Sequence, residues 1–191
     1  MDHRIKPNPY PLPVIIGVGV LLNFVLGLIF IELQLPLYLD AIGTVTFTLL
    51  GGCRVGALIG LFSTLAGSLL NPHLAFFFFT QFTIAVVVGI AAQNGGFKNI
   101  PRVVLTGIIL GFIAALVSAP AVALAFGGTS PFVIATGECL RRAFFSAAAW
   151  TEPLDKTCQC LAAVALVRSL PKAQRARLST PANFLAANNL E

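Results

Sequence analysis

The sequence predicts an all-α integral membrane protein: a bundle of six transmembrane helices, an extra outer-leaflet helix around 131–150, and both termini inside. Three observations predict it. Hydrophobic residues make up 57% of the 191-residue chain and charged residues only 10%, against about 25% charged in soluble domains. Apolar runs approaching the roughly 20 residues needed to cross a bilayer recur along the chain. The twelve charged side chains between Pro13 and Leu170 sort by sign when the chain is threaded through six spans. Period-2 alternation is absent, which disfavours a β-barrel.

Residues 1–12 form a cytoplasmic lead-in, extended by Pro7, Pro9 and Pro11 and carrying Arg4 and Lys6. No cleavable signal pattern is expected there, because 13–33 is long enough to span. A single transmembrane domain then occupies 13–171, with spans at 13–33, 37–52, 54–70, 73–93, 103–126 and 153–170. The stretch 41–70 cannot be one straight span. It would run about 45 Å and place Arg54 at mid-membrane. A break at Gly51-Gly52 avoids both problems and leaves a short second span. Pro120 should kink the fifth span. Ser130-Pro131 and Thr151-Glu152-Pro153 read as helix starts. Residues 172–191 form a tail, basic at first and then polar, with 179–191 expected to be disordered.

This threading puts nine of the twelve Lys and Arg inside, as the positive-inside rule requires. The net charge of +5 therefore reads as anchoring to anionic membrane lipid, not as a nucleic-acid surface. Glu32, Asp40, Glu138, Glu152 and Asp155 all fall outside. Arg141, Arg142 and Lys156 break the rule by joining them.

Small residues recur at four-residue spacing in Gly52, Gly56 and Gly60, and in Gly107, Gly111, Ala115 and Ala119. Such seams let helices approach closely in lipid. In the first span Gly17, Gly19 and Asn23 are candidates for a face offered to a partner subunit. Asn23, at mid-membrane, needs a hydrogen-bond partner on a neighbouring helix or on another protein.

No catalytic residue, metal-ligand set or cofactor motif emerges: there is no H-E-x-x-H, Gly-x-Ser-x-Gly or Walker loop. The chain reads as a non-enzyme. The four cysteines read as buried small hydrophobes. What remains is the outer polar set: Tyr38, Asp40, Asn71, His73, Gln81, Glu138, Arg141, Arg142, Trp150, Asp155 and Lys156, with Glu152 beside them. Ionisable groups at membrane depth default to functional hypotheses. The plain alternative is a set of ion pairs bracing the rim. The sharper one is a pocket for a small solute, with Arg141, Arg142 and Lys156 holding an anionic or electron-rich group.

Several motifs carry a resemblance. The segment Leu35-Pro-Leu-Tyr-Leu-Asp-Ala-Ile-Gly-Thr44, the Gly51-Gly-x-x-x-Gly-Ala-x-x-Gly60 run, Asn71-Pro72, Glu152-Pro-Leu-Asp-Lys156 and Arg168-Ser-Leu-Pro171 occur in order. Together with Asn23-x-x-x-Gly27, they resemble S-components of energy-coupling factor (ECF) vitamin transporters, over about residues 15–172. The resemblance implies a six-helix bacterial inner-membrane subunit that captures a vitamin-like small molecule near the outer face, under the loop between helices 1 and 2. It also implies partners: a membrane coupling subunit, met through small residues on the first helix, and two cytoplasmic ATPase subunits. Two departures stand out: Leu21 where a small residue is usual, and Glu138 where the family places a neutral amide. A membrane-embedded enzyme and a self-associating scaffold or channel are the competing readings. The first lacks a paired carboxylate or metal cluster; the second lacks a continuous polar lane through the largely apolar inner halves.

Overall fold

The computed structural model describes residues 10–33, 37–126 and 151–178. These are all-helical. In chain order they form α1 (Leu12–Glu32), α2 (Ile42–Gly51), α3 (Cys53–Leu70), a 3-10 turn (Pro72–Phe77), α4 (Phe78–Gln93), α5 (Ile100–Phe126), α6 (Thr151–Ser169) and α7 (Lys172–Leu178). Four segments are long and apolar enough to cross a membrane: Leu12–Phe30, Cys53–Leu70, Pro72–Gln93 and Ile100–Val122. The chain is thus a multi-pass membrane protein by length and composition. The extra helix expected around 131–150 lies outside the described residues.

The second and sixth expected spans differ from these four. α2 has 10 residues, about 15 Å of helix, half a hydrocarbon core. α6 is long enough but carries Glu152, Asp155, Lys156 and Arg168. Both are nevertheless central. α2 packs on α1, α3, α4 and α6, and α6 packs most extensively on α5. Nine of the ten α2 residues are buried, so its shortness is supported by neighbours on every side.

The expected break in 41–70 falls where the glycines are. α2 ends at Gly51, and Gly52 turns the chain with φ 88° before α3 starts at Cys53. A side chain in that region of φ is strained, and Gly avoids the strain.

The small-residue seams face the interior of the bundle. A Cβ on Gly56 would collide with Thr48 Oγ1 of α2, and one on Gly60 would lie 2.9 Å from Gln81 Cβ of α4. A Cβ on Gly107 would lie 2.5 Å from Thr157 Cα, and one on Gly111 would strike the Pro153 backbone. These glycines set how closely α3 meets α2 and α4, and how closely α5 meets α6. Without a hydrophobic drive between helices in lipid, such close contact is a main source of association.

The same contacts fix the levels of the helices. Gly27 of α1 is level with Asp40, Gly60 of α3 with Gln81, and Gly111 of α5 with Pro153. Beyond that plane α1 runs on to Glu32, α3 to Leu70 and α5 to Phe126. At 1.5 Å per residue these extensions are about 7, 15 and 22 Å. α2 and α6 start near the plane, so among the described residues α1, α3 and α5 reach beyond the starts of α2 and α6. The other half is filled by an apolar core that includes Val45, Leu49, Leu50, Val88, Val103, Val164 and Val167.

Candidate functional site: a charged floor beneath the helix ends

At this level Lys156 is buried and its ammonium faces three carboxylates. Nζ lies 2.7 Å from Asp155 Oδ2, 3.7 Å from Asp40 Oδ1 and 3.7 Å from Glu152 Oε2. Residues 152 and 156 are one turn apart on α6, which aligns them on one face. Asp155 is 1% exposed and Lys156 3%, whereas the Asp40 side chain is 49% exposed. The cluster therefore grades from a sealed base to an open rim.

Asp155 is saturated. Its Oδ1 accepts the backbone N–H of Tyr38 and of Leu39, each at 3.0 Å. Its Oδ2 accepts Lys156 Nζ at 2.7 Å and Gln159 Nε2 at 2.8 Å. One carboxylate thus fastens the loop between α1 and α2 to α6. Leu39 takes a φ of 44°, which is uncommon for a branched side chain. The two bonds from Asp155 help to hold it there.

Gln81 and Gln159 bridge toward Asp40. Gln81 Nε2 lies 3.3 Å from Asp40 Oδ2, and Gln159 Nε2 lies 3.4 Å from Asp40 Oδ1. Thr44 Oγ1 donates to Gln81 Oε1 at 3.2 Å and accepts from Asn23 Nδ2 at 2.9 Å. Asn23 Nδ2 also reaches Ser63 Oγ at 3.0 Å. Asn23 Oδ1 accepts the backbone N–H of Gly43 at 2.6 Å and of Thr44 at 3.3 Å. A helix starts with unsatisfied N–H groups, and Ala41, before α2, has no side chain to cap them. Asn23 performs that task from the neighbouring helix. A polar chain thus joins α1, α2, α3, α4 and α6 at one level.

Tyr38, in the loop over the cluster, has its phenol pushed above the ordinary tyrosine range. Partial burial is the largest cause, followed by the carboxylates of Glu152, Asp40 and Asp155. The hydroxyl therefore stays a neutral donor at physiological pH.

Of the residues expected at the site, Tyr38, Asp40, Gln81, Asp155 and Lys156 are brought together. Asn71 stands apart and exposed; its side chain accepts the His73 backbone N–H at 3.1 Å and caps the 3-10 turn. His73 lies in that turn, exposed. Glu138, Arg141, Arg142 and Trp150 lie outside the described residues. Two cluster members are additions to the expected set: Gln159 and Thr44. Gln159 had a signal, being one turn from Asp155 in an apolar stretch.

Lys156, expected with Arg141 and Arg142 to hold an anionic or electron-rich group of a solute, faces three carboxylates of the described residues. Of the candidate partner-facing residues, Gly19 packs against Ile59 and Asn23 spends its amide inside the bundle. Only Gly17 has open space beside it.

Two cavities lie away from the cluster. One, of about 370 Å³, is lined by Val14, Val18, Phe47, Leu50 and Leu166 among others. The other, of about 420 Å³, lies between α1 and α3 against Gly17 and Leu21. No cluster residue lines either one, and their walls are mostly apolar. Among the described residues no group of three or more His, Cys, Asp or Glu side chains is placed to hold a metal ion. No family model, curated protein or solved structure matches the chain.

Proposed function

We propose that this chain is the solute-capturing membrane subunit of an ATP-driven importer of the ECF type, with the charged floor as its binding site. The observation that carries the reading is the buried Asp155–Lys156 pair with Asp40 and Glu152, tied to the 37–40 loop through the Tyr38 and Leu39 N–H groups. Charges at this depth cost several kcal/mol each unless compensated. A bundle needing only stability would be served as well by apolar side chains. The loop at Tyr38–Leu39 and the start of α6 are also among the places that carry the ECF resemblance.

In this reading the charged floor faces outward in a bacterial cytoplasmic membrane and receives a vitamin-like molecule. A coupling subunit binds in the membrane, and two ATPases supply the energy, because the sequence has no nucleotide-binding motif of its own. The open face of α1 at Gly17 is a place for the coupling subunit to approach. The chain itself catalyses no reaction.

The test is ligand identification. Protein purified in mild detergent is examined by native mass spectrometry, then titrated with thiamine, its pyrimidine precursor, riboflavin and biotin. A bound small molecule, or micromolar or tighter binding of one compound, supports the reading. An empty protein that binds none of them, and that fails to associate with a coupling subunit, contradicts it.

A further inference from the structure

We propose that the solute held on this floor is an organic cation bearing N–H donors, clasped between Asp40 and Glu152. The inference rests on the capture reading and adds the chemical class of the solute.

The charge balance is the first argument. Three carboxylates surround one ammonium, which leaves the described cluster two negative charges in excess. Asp155 has its four donors. Among the described residues Asp40 and Glu152 do not. Lys156 Nζ is 3.7 Å from each, beyond hydrogen-bond distance. Among the described residues Asp40 otherwise receives only long bonds from Gln81 and Gln159, at 3.3 and 3.4 Å. The excess charge therefore sits on the two carboxylates with spare acceptor capacity. Both lie at the same distance from Nζ, so their near oxygens are at most twice that distance apart. The two nitrogens of one amidinium group can address both across that span.

Gln159 supplies the second argument. It is 0% exposed, and its amide ends in the cluster. Two carboxylates fix its orientation, since turning Oε1 toward them would set acceptor against acceptor. Oε1 is consequently left buried with no hydrogen-bond partner. An orphan acceptor beside two unsatisfied carboxylates marks a site short of donors, not of acceptors. An anion would meet uncompensated negative charge and find Lys156 already committed. A metal ion would compete with the ammonium for the same carboxylates.

The expected result is charge selectivity. Purified full-length protein is titrated calorimetrically with benzamidine, benzamide and benzoate, which share one ring and differ in charge. The cation should bind at least tenfold more tightly than the neutral compound, and benzoate should not bind. Asp40→Asn combined with Glu152→Gln should abolish that preference while the helical circular dichroism persists. Equal or better binding of benzamide or benzoate overturns the proposal. So does an absence of benzamidine binding in a protein that binds riboflavin or biotin, an outcome that leaves the capture reading intact. A third arm replaces Arg141 and Arg142 by Gln. If cation binding emerges only in that variant, the arginines supply the balancing charge, and the proposal fails. Protein that binds no compound of any charge contradicts both readings.

Discussion

The two halves of this bundle use the same helices for opposite purposes. On the side of Gly51 and Leu170, α2 and α6 meet through Val45, Leu49, Val164 and Val167, with almost no polar group between them. Toward Asp40, the same two helices carry Thr44, Asp155, Lys156 and Gln159, all at most 3% exposed. Apolar packing holds the first half. The second half spends desolvation on charges that stability does not demand.

The sharpest way to break this comparison is to unbalance the charged half. Asp155→Ala strips Lys156 of its closest partner and frees the loop N–H groups of Tyr38 and Leu39. Breaking a buried pair from one side costs about 3–5 kcal/mol. Thermal unfolding in detergent should show the largest loss for this variant, and replacing Asp155 and Lys156 together by Leu should restore much of it. A larger loss for the pair than for the single change would mean that the cluster braces the fold and does nothing more.

Next in size is Gly111→Leu, which drives a side chain into the Pro153 backbone and pushes α5 from α6. Overpacking of this kind costs about 1–3 kcal/mol, and more against backbone. Asn23→Ala follows. It removes the cap on α2 and the links to Thr44 and Ser63, at about 1–3 kcal/mol, read from the same melts. Asn23→Asp should recover part of it, because a carboxylate can still accept from Gly43 and Thr44. The smallest effect is expected at Gly17→Leu, where a Cβ meets nothing within 4 Å. Stability should stay within about 0.5 kcal/mol, while co-purification with a coupling subunit should fall. Unchanged co-purification would remove α1 at Gly17 as the contact.

Much of the helical layout was legible in the sequence because apolar length and glycine spacing are local signals. The break at Gly51-Gly52 follows from the cost of Arg54 at mid-membrane, and the structure turns there. The shared location of Tyr38, Asp40, Gln81, Asp155 and Lys156 followed from charge sorting and threading. The partners within that set did not. Charge sorting places Lys156 on one side of the membrane, but cannot show that three acids enclose it. Asn23 was read as needing a partner, yet only the packing shows that the partner is the bare start of α2. Gln159 was overlooked because a lone amide between two cysteines carries little weight until its helical face is known.

The most direct test of the central claim is calorimetric binding to the purified chain and to its Asp40→Asn/Glu152→Gln variant, using the solute found by native mass spectrometry. A solute capture site built on the charged floor predicts saturable binding of about one molecule per chain, lost at least tenfold in the variant while its melting transition remains cooperative. Binding of equal affinity in both proteins would place the solute elsewhere and contradict it.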